Sequence, residues 1–260
     1  QAIELANSIV DIEPLYNALM AIFKAIAPIN HPKTADVGKQ IIHKTNELLS
    51  EYCYSLCEDM KVIAQFLTPI NLSLALQAAR VGCTRDHVRV LAVIIEGLEH
   101  INPAEALKLA RIAIKKVNSI DYYYKHDIAV GLIEIAVALV RLNPNKSLEL
   151  SEQAIAWAKK VEHSYTKIQV FAKITERLVS VNPLMVLEVG EDCILTAKNF
   201  NYDSYGYFLA ICRVAKAFWH VNPQRALELA KVIYASIERI GTYSLKLEIL
   251  ESISEILENR

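Results

Sequence analysis

Glycine and proline are scarce in this chain, with 7 and 8 among 260 residues. An all-β protein that turns every ten residues or so needs more of both, so that class is set aside. An excess of charge of either sign is missing too: 28 basic residues stand against 29 acidic ones, a formal net charge of -1. That balance gives no electrostatic reason to expect nucleic acid or an anionic membrane surface. Long hydrophobic runs are also lacking. The longest reaches from Ile128 to Val140 and is broken by Glu134, short of the ~20 residues a bilayer span needs. No charged-then-apolar leader with a small-residue cleavage site opens the chain. Gly-rich phosphate loops, Gly-x-Ser-x-Gly elbows and His-Glu-x-x-His pairs do not occur. The expectation is a non-enzyme without cofactor or metal, off the membrane.

Cysteine occurs an odd number of times, at Cys53, Cys57, Cys83, Cys193 and Cys212. Cys193 and Cys212 fall at apolar positions of helical patterns, where a thiol behaves as a small hydrophobe. Cys53 and Cys57 lie one helical turn apart, but two thiols without further Cys or His at ligand spacing make a poor zinc site. Buried, reduced cysteines and a cytoplasmic, reducing environment are expected.

What the chain does have is a repeat. Asn-Pro recurs at Asn102-Pro103, Asn143-Pro144, Asn182-Pro183 and Asn222-Pro223, at spacings of 41, 39 and 40 residues. A matching segment follows each: Ala106 to Ala110, Ser147 to Ser151, Val186 to Gly190 and Ala226 to Ala230. Ala110, Ser151, Gly190 and Ala230 are the small residues at which a neighbouring helix would approach closely. Weaker copies lie upstream. Ala75 to Ala79 follows Thr68-Pro69-Ile70-Asn71, Ala35 to Gly38 follows Asn30, and Ala2 to Ala6 matches Ala226 to Ala230. The approximate units are 1-29, 30-70, 71-101, 102-142, 143-181, 182-221 and 222-260.

Each unit reads as two helices. The first carries apolar residues at helical spacing, as in Leu107, Ala110, Ile114 and Val117. The second does so again, in Ile128, Leu132, Ile135 and Leu139 or Ile168, Phe171, Ile174 and Leu178. Asn is a good N-cap and Pro suits the first helical position. The same Asn can take the left-handed conformation that ends the preceding helix, so one dipeptide would close one helix and open the next. A hairpin of about 40 residues cannot bury its apolar stripe alone, whereas stacked neighbours can. The expected fold is all-α: a right-handed αα-superhelix, or solenoid, of about seven such hairpins in one domain.

The Asn-Pro-x-x-Ala-Leu-x-Leu-Ala pattern resembles the second half of a tetratricopeptide-type repeat, and the unit length is similar to that of HEAT-class repeats. The resemblance covers essentially the whole chain and is architectural. It implies a scaffold, an adaptor, or a chaperone or effector module.

Gln1 corresponds to Arg225, two residues past the proline, so the chain opens inside a unit, and Arg260 falls where a further Asn-Pro would begin. Leu245, Ile249, Ile253, Ile256 and Leu257 give the last helix an apolar face with no distinct cap after it. Free-standing solenoids need polar terminal units. The expectation is a fragment of a longer protein, or an end covered by another copy of the chain or by a partner.

Tyrosine is placed unevenly. Of 12 tyrosines, most lie in or beside the segments joining first and second helices: Tyr16, Tyr52, Tyr54, Tyr122, Tyr123, Tyr124, Tyr165, Tyr202, Tyr205, Tyr207 and Tyr243, with Tyr234 elsewhere. An exposed tyrosine row suits a protein or peptide partner. The alternative is one ring per unit tucked under the turn as a packing plug. Tyr122, Tyr123 and Tyr124 exceed that need, because three consecutive residues cannot all face one core. Basic residues recur at first-helix ends: Lys115, Lys116, Lys159 and Lys160, with Lys198 and Arg239. They complement the helix dipole or form, with the tyrosines, a strip for an acidic peptide or phosphate groups. His87, His126 and His163 fall near the start of successive second helices. About one repeat apart, they are too far for common ligation and read as exposed loop residues.

These readings lead to a non-catalytic protein-protein interaction scaffold that binds a protein or peptide along its repeat surface. A regulatory or substrate-recruiting segment of a larger multidomain enzyme is the alternative. A nucleic-acid-binding helical repeat is least favoured, since no repeat position is consistently basic.

Overall fold

The computed structural model describes residues 2–48, 55–81, 84–198, 205–236 and 243–258. Among them there are fourteen α-helices and no strand. The helices divide between two compact units, residues 1–120 and 121–260. The first unit holds α1 (Ala2–Asn7), α2 (Ile12–Ile26), α3 (Thr34–Leu48), α4 (Ser55–Leu67), α5 (Leu72–Arg80), α6 (Thr84–Leu98) and α7 (Pro103–Val117). The second holds α8 (Lys125–Leu139), α9 (Pro144–Lys159), α10 (Ser164–Val181), α11 (Pro183–Lys198), α12 (Tyr205–Trp219), α13 (Pro223–Ser236) and α14 (Tyr243–Glu258). One 3-10 turn, Ala27–Ile29, follows α2, and another, Tyr122–Tyr124, leads into α8.

Within each unit the packing is sequential. In the first, α2 lies on α3, α4 on α5 and α6 on α7, while α4 also meets α6. In the second, α8 lies on α9, α10 on α11 and α12 on α13, and α8, α10, α12 and α14 pack one on the next. In the second unit the even-numbered helices are therefore the inner layer. Ile128, Leu132, Ile135 and Leu139 of α8 are buried, as are Ile168, Phe171, Ile174 and Leu178 of α10. α8 is apolar nearly all round, the pattern of a helix covered on most sides. Its one buried carboxylate, Glu134, meets Lys173 Nζ at 2.9 Å and Arg177 Nη2 at 3.5 Å on α10.

In first helices the expected stripe holds at Ala110 and Val117 of α7, while its other two positions fall one residue earlier. Ala106, Leu109, Ala110, Ala113 and Val117 are the buried residues of α7, whereas Leu107 and Ile114 are only half-buried. The offset recurs: Ser147, Val186 and Ala226 are buried, while Leu148 is exposed and Leu187 and Leu227 are half-buried. A small residue sits at the helix contact, and the neighbouring leucine covers the flank. The close-approach positions behave as expected. Ala110, Ser151 and Ala230 are buried, and a Cβ at Gly190 would lie 2.2 Å from Phe218 Cε1.

The Asn-Pro turns work, but by another conformation than the left-handed one. Asn102, Asn143 and Asn182 have φ of -150°, -155° and -150°, and Asn30 alone among described non-glycine residues has a positive φ. The backbone N–H of Asn102 donates to Leu98 O at 2.9 Å, closing α6. Its carbonyl accepts from Ala106 N at 3.0 Å, and its side-chain oxygen accepts from Glu105 N at 3.1 Å, opening α7. Asn71, Asn143 and Asn222 repeat all three bonds. The extended φ lets the side-chain oxygen reach back to the third N–H of the new helix, which a left-handed residue does not do.

One segment departs from the reading by uninterrupted runs. Ile12–Ile29 spans 18 residues at a mean hydropathy of 1.2, long and apolar enough by length and composition to cross a membrane. Glu13, Asn17 and Lys24 break its run. In this structure Leu15, Tyr16, Leu19, Met20 and Phe23 are buried within the first unit, and Tyr16 Oη donates to Asp59 Oδ2 on α4 at 2.9 Å.

Candidate functional site

The tyrosine segment is built by one aspartate. Asp121 Oδ1 accepts from Tyr123 N at 2.9 Å and its carbonyl from Tyr124 N at 2.9 Å, bending the chain into a 3-10 turn that runs straight into α8. Three consecutive residues in such a turn project in three directions. Tyr122, Tyr123 and Tyr124 are 59%, 85% and 44% exposed, so all three stand at the surface. Tyr122 sets its ring edge against Trp157 of α9, centroids 5.3 Å apart at 65°. Tyr123 and Tyr124 meet at 5.9 Å and 82°, forming a corner.

Cations have already settled on two of these rings. Lys125 Nζ lies 5.0 Å from the Tyr122 centroid and Lys160 Nζ 4.5 Å from that of Trp157. Lys125 is also paired with Glu162. That bond holds the ammonium above, and the carboxyl below, its usual range. Asp121, Tyr122, Tyr123, Tyr124, Lys125 and Glu162 line an open groove of about 520 Å³ whose other walls are His126, Val161, His163 and Thr166. His163 caps α10, its Nδ1 accepting from Thr166 N at 3.5 Å. His126 lies 3.2 Å from Asp127.

Of the expected strip, the groove's lining holds Tyr122, Tyr123 and Tyr124. Tyr165 is 39% exposed in the first turn of α10. The side chain of Tyr205 lies outside the described residues, as do those of Tyr52, Tyr54, Tyr202 and Tyr243. Tyr16 and Tyr207 are buried plugs; burial and the neighbouring Asp59 raise the Tyr16 hydroxyl. Lys159 is held 3.5 Å from Glu188 and 3.4 Å from Asp192 of α11. Lys160 sits over Trp157, and Lys116 is near enough to His87 to disfavour its protonation. Lys115 stands exposed in the last turn of α7.

His87 is not an exposed loop residue either. It is half-buried in the first turn of α6, and burial, with Lys116 and Arg80 adding repulsion, lowers its pKa to about 4. Cys57, Cys193 and Cys212 are free and buried, and burial pushes the thiols of Cys57 and Cys193 up to about 12. Cys53 and Cys83 lie outside the described residues. Among the described residues, no three His, Cys, Asp or Glu side chains gather closely enough to hold a metal ion.

Sequence reasoning passed over Asp121, Trp157 and Glu162. Glu162 stands one repeat after Tyr123, 20 residues before its Asn-Pro as Tyr123 is before its own. Aligning the joining segments as well as the helices is the signal that pairs them. No family model matches the chain, and no curated protein matches it.

Proposed function

We propose that the chain is a non-catalytic interaction module that holds a protein or peptide segment along a surface of stacked helical hairpins. In this reading the fourteen helices are about seven hairpins of a right-handed solenoid of the tetratricopeptide or HEAT kind, working in the cytoplasm. A preformed helical stack offers a binding surface with little ordering cost. The observation that carries the reading is the triple-tyrosine turn. Tyr122, Tyr123 and Tyr124 are all exposed beside one groove, although burying aromatic area is what folding favours. Tyrosines held rigidly at a surface are the residues that dominate protein interfaces.

The test is selection of a phage-displayed random peptide library on the full chain. Peptides enriched there should bind about tenfold or more weakly to a variant carrying Tyr122→Ser, Tyr123→Ser and Tyr124→Ser. The exposure of these side chains means the variant should keep its helical circular dichroism. No enrichment, or equal affinity for the folded variant, contradicts the reading.

A further inference from the structure

Two successive hairpins of the second unit place a lysine alike and pair it differently. Lys159 stands 16 residues after Asn143, and Lys198 stands 16 after Asn182. Lys159 Nζ lies 3.5 Å from Glu188 and 3.4 Å from Asp192 on α11, residues that follow Asn182 by 6 and 10 positions. Their counterparts after Asn222 are Glu228 and Val232. One carboxylate is thus replaced by an apolar side chain, 60% exposed. The other is drawn away: Arg225, where the earlier hairpin has Met185, donates from Nη1 to Glu228 Oε2 at 2.9 Å. The same guanidinium meets both oxygens of Glu191, at 2.7 and 3.1 Å. Lys198 is exposed and, among the described residues, has no acidic partner.

Beside Lys198 lies a cleft of about 140 Å³ between α11, α12 and α13. Its walls are Ile194, Tyr207, Phe208, Ile211, Leu229 and Ile233, all buried, and Lys198, Arg225 and Glu228 are its charged lining. Arg225 and Glu228 are already bound to each other, so Lys198 is the cation open to a ligand. Size decides what that ligand is. Drug-sized sites begin at about 300 Å³, whereas a cavity of about 150 Å³ walled by Leu, Ile and Phe stays dry and accepts benzene. A ring in such a space restores dispersion contacts that the walls otherwise lack. We propose that this cleft binds a small free monocarboxylate whose apolar body is a single ring, an arylacetate or its like. The ring lies among the apolar walls, and the carboxylate meets the Lys198 ammonium as Asp192 meets Lys159. The site is apart from the tyrosine groove and stands or falls independently of the peptide reading.

Fluorine NMR titration of the full chain tests this with three probes. They are para-fluorophenylacetate, its neutral amide, and trifluoroacetate, which has the charge without the ring. The arylacetate should bind about threefold or more tighter than the amide, the worth of one exposed ion pair, and trifluoroacetate should not bind measurably. Lys198→Gln should bring the arylacetate down to the affinity of the amide and leave the amide unchanged. Val232→Asp returns the carboxylate that the earlier hairpin has, occupies Lys198, and should weaken the arylacetate alike. Both positions are exposed, so the variants should keep their helical circular dichroism. Equal binding of arylacetate and amide overturns the site, as does an arylacetate affinity that either substitution leaves unchanged. Trifluoroacetate binding as tightly as the arylacetate means a surface charge contact without the cavity, and overturns it too. No binding of any probe at millimolar concentration does the same.

Discussion

At the scale of single residues, solvation decides what each candidate does. His87 has a proton affinity set by burial and by Lys116 and Arg80, which bring its pKa down to about 4; in an unfolded chain it titrates near 6.5, the ordinary value. Between about pH 6.5 and 4 the unfolded state therefore binds more protons, so stability rises with pH in that window and is lost on acidification through it. The melting temperature of the chain should fall between about pH 7 and 5, and it should fall less in His87→Gln. An equal fall in both proteins, followed by circular dichroism, removes His87 from the account. That at least one of Tyr122, Tyr123 and Tyr124 is exposed was legible in the sequence, since no element lets three adjacent side chains share one core; that all three are was not. The fate of Lys159 was not, because its partners Glu188 and Asp192 lie on α11 and only the packing of α9 near α11 brings them close.

At the scale of elements, the turns were readable and their geometry was not. Asn-Pro marked four helix starts correctly, from Pro103, Pro144, Pro183 and Pro223. The conformation of the asparagine depends on whether closing one helix or capping the next governs it, and capping governs here at φ near -150°. Two of the four stripe positions of α7, Leu107 and Ile114, were placed one residue late for a related reason. Leucine and alanine both count as apolar in a periodic pattern, but only the small residue fits where two helix axes come closest. Gly190 is the sharpest instance. A methyl group there meets Phe218, which is fully buried and has nowhere to move, and Val214 Cγ1 at 3.1 Å. Gly190→Ala should destabilise the second unit by about 1–3 kcal/mol, the usual cost of overpacking, despite alanine's better helix propensity. Urea denaturation reads this directly, and an unchanged or raised midpoint would show that α11 and α12 yield freely.

For the whole molecule, the all-helical class and sequential packing were legible because the motif returns four times at about forty residues, with weaker copies upstream. The division of contacts between residues 120 and 121 was not, since the repeat runs through that point with an ordinary joining segment. Nor did run-length reading pick out Ile12–Ile29, whose apolar face is interrupted in sequence but continuous on the helix, where Leu15, Leu19 and Phe23 fall together. The central claim is that the motif copies from Asn102 onward are structurally interchangeable, each helical pair closing on the next through the same Asn-Pro turn. Removing residues 143–181 in frame joins α8 to Asn182 and lets α11 take the place of α9. Circular dichroism and thermal melting of that deletion, beside one lacking only residues 144–163, measure the claim most directly. The account predicts that the whole-unit deletion keeps the parent's helicity per residue and a single cooperative melt, while the half-unit deletion loses both. Equal damage from the two deletions would contradict it.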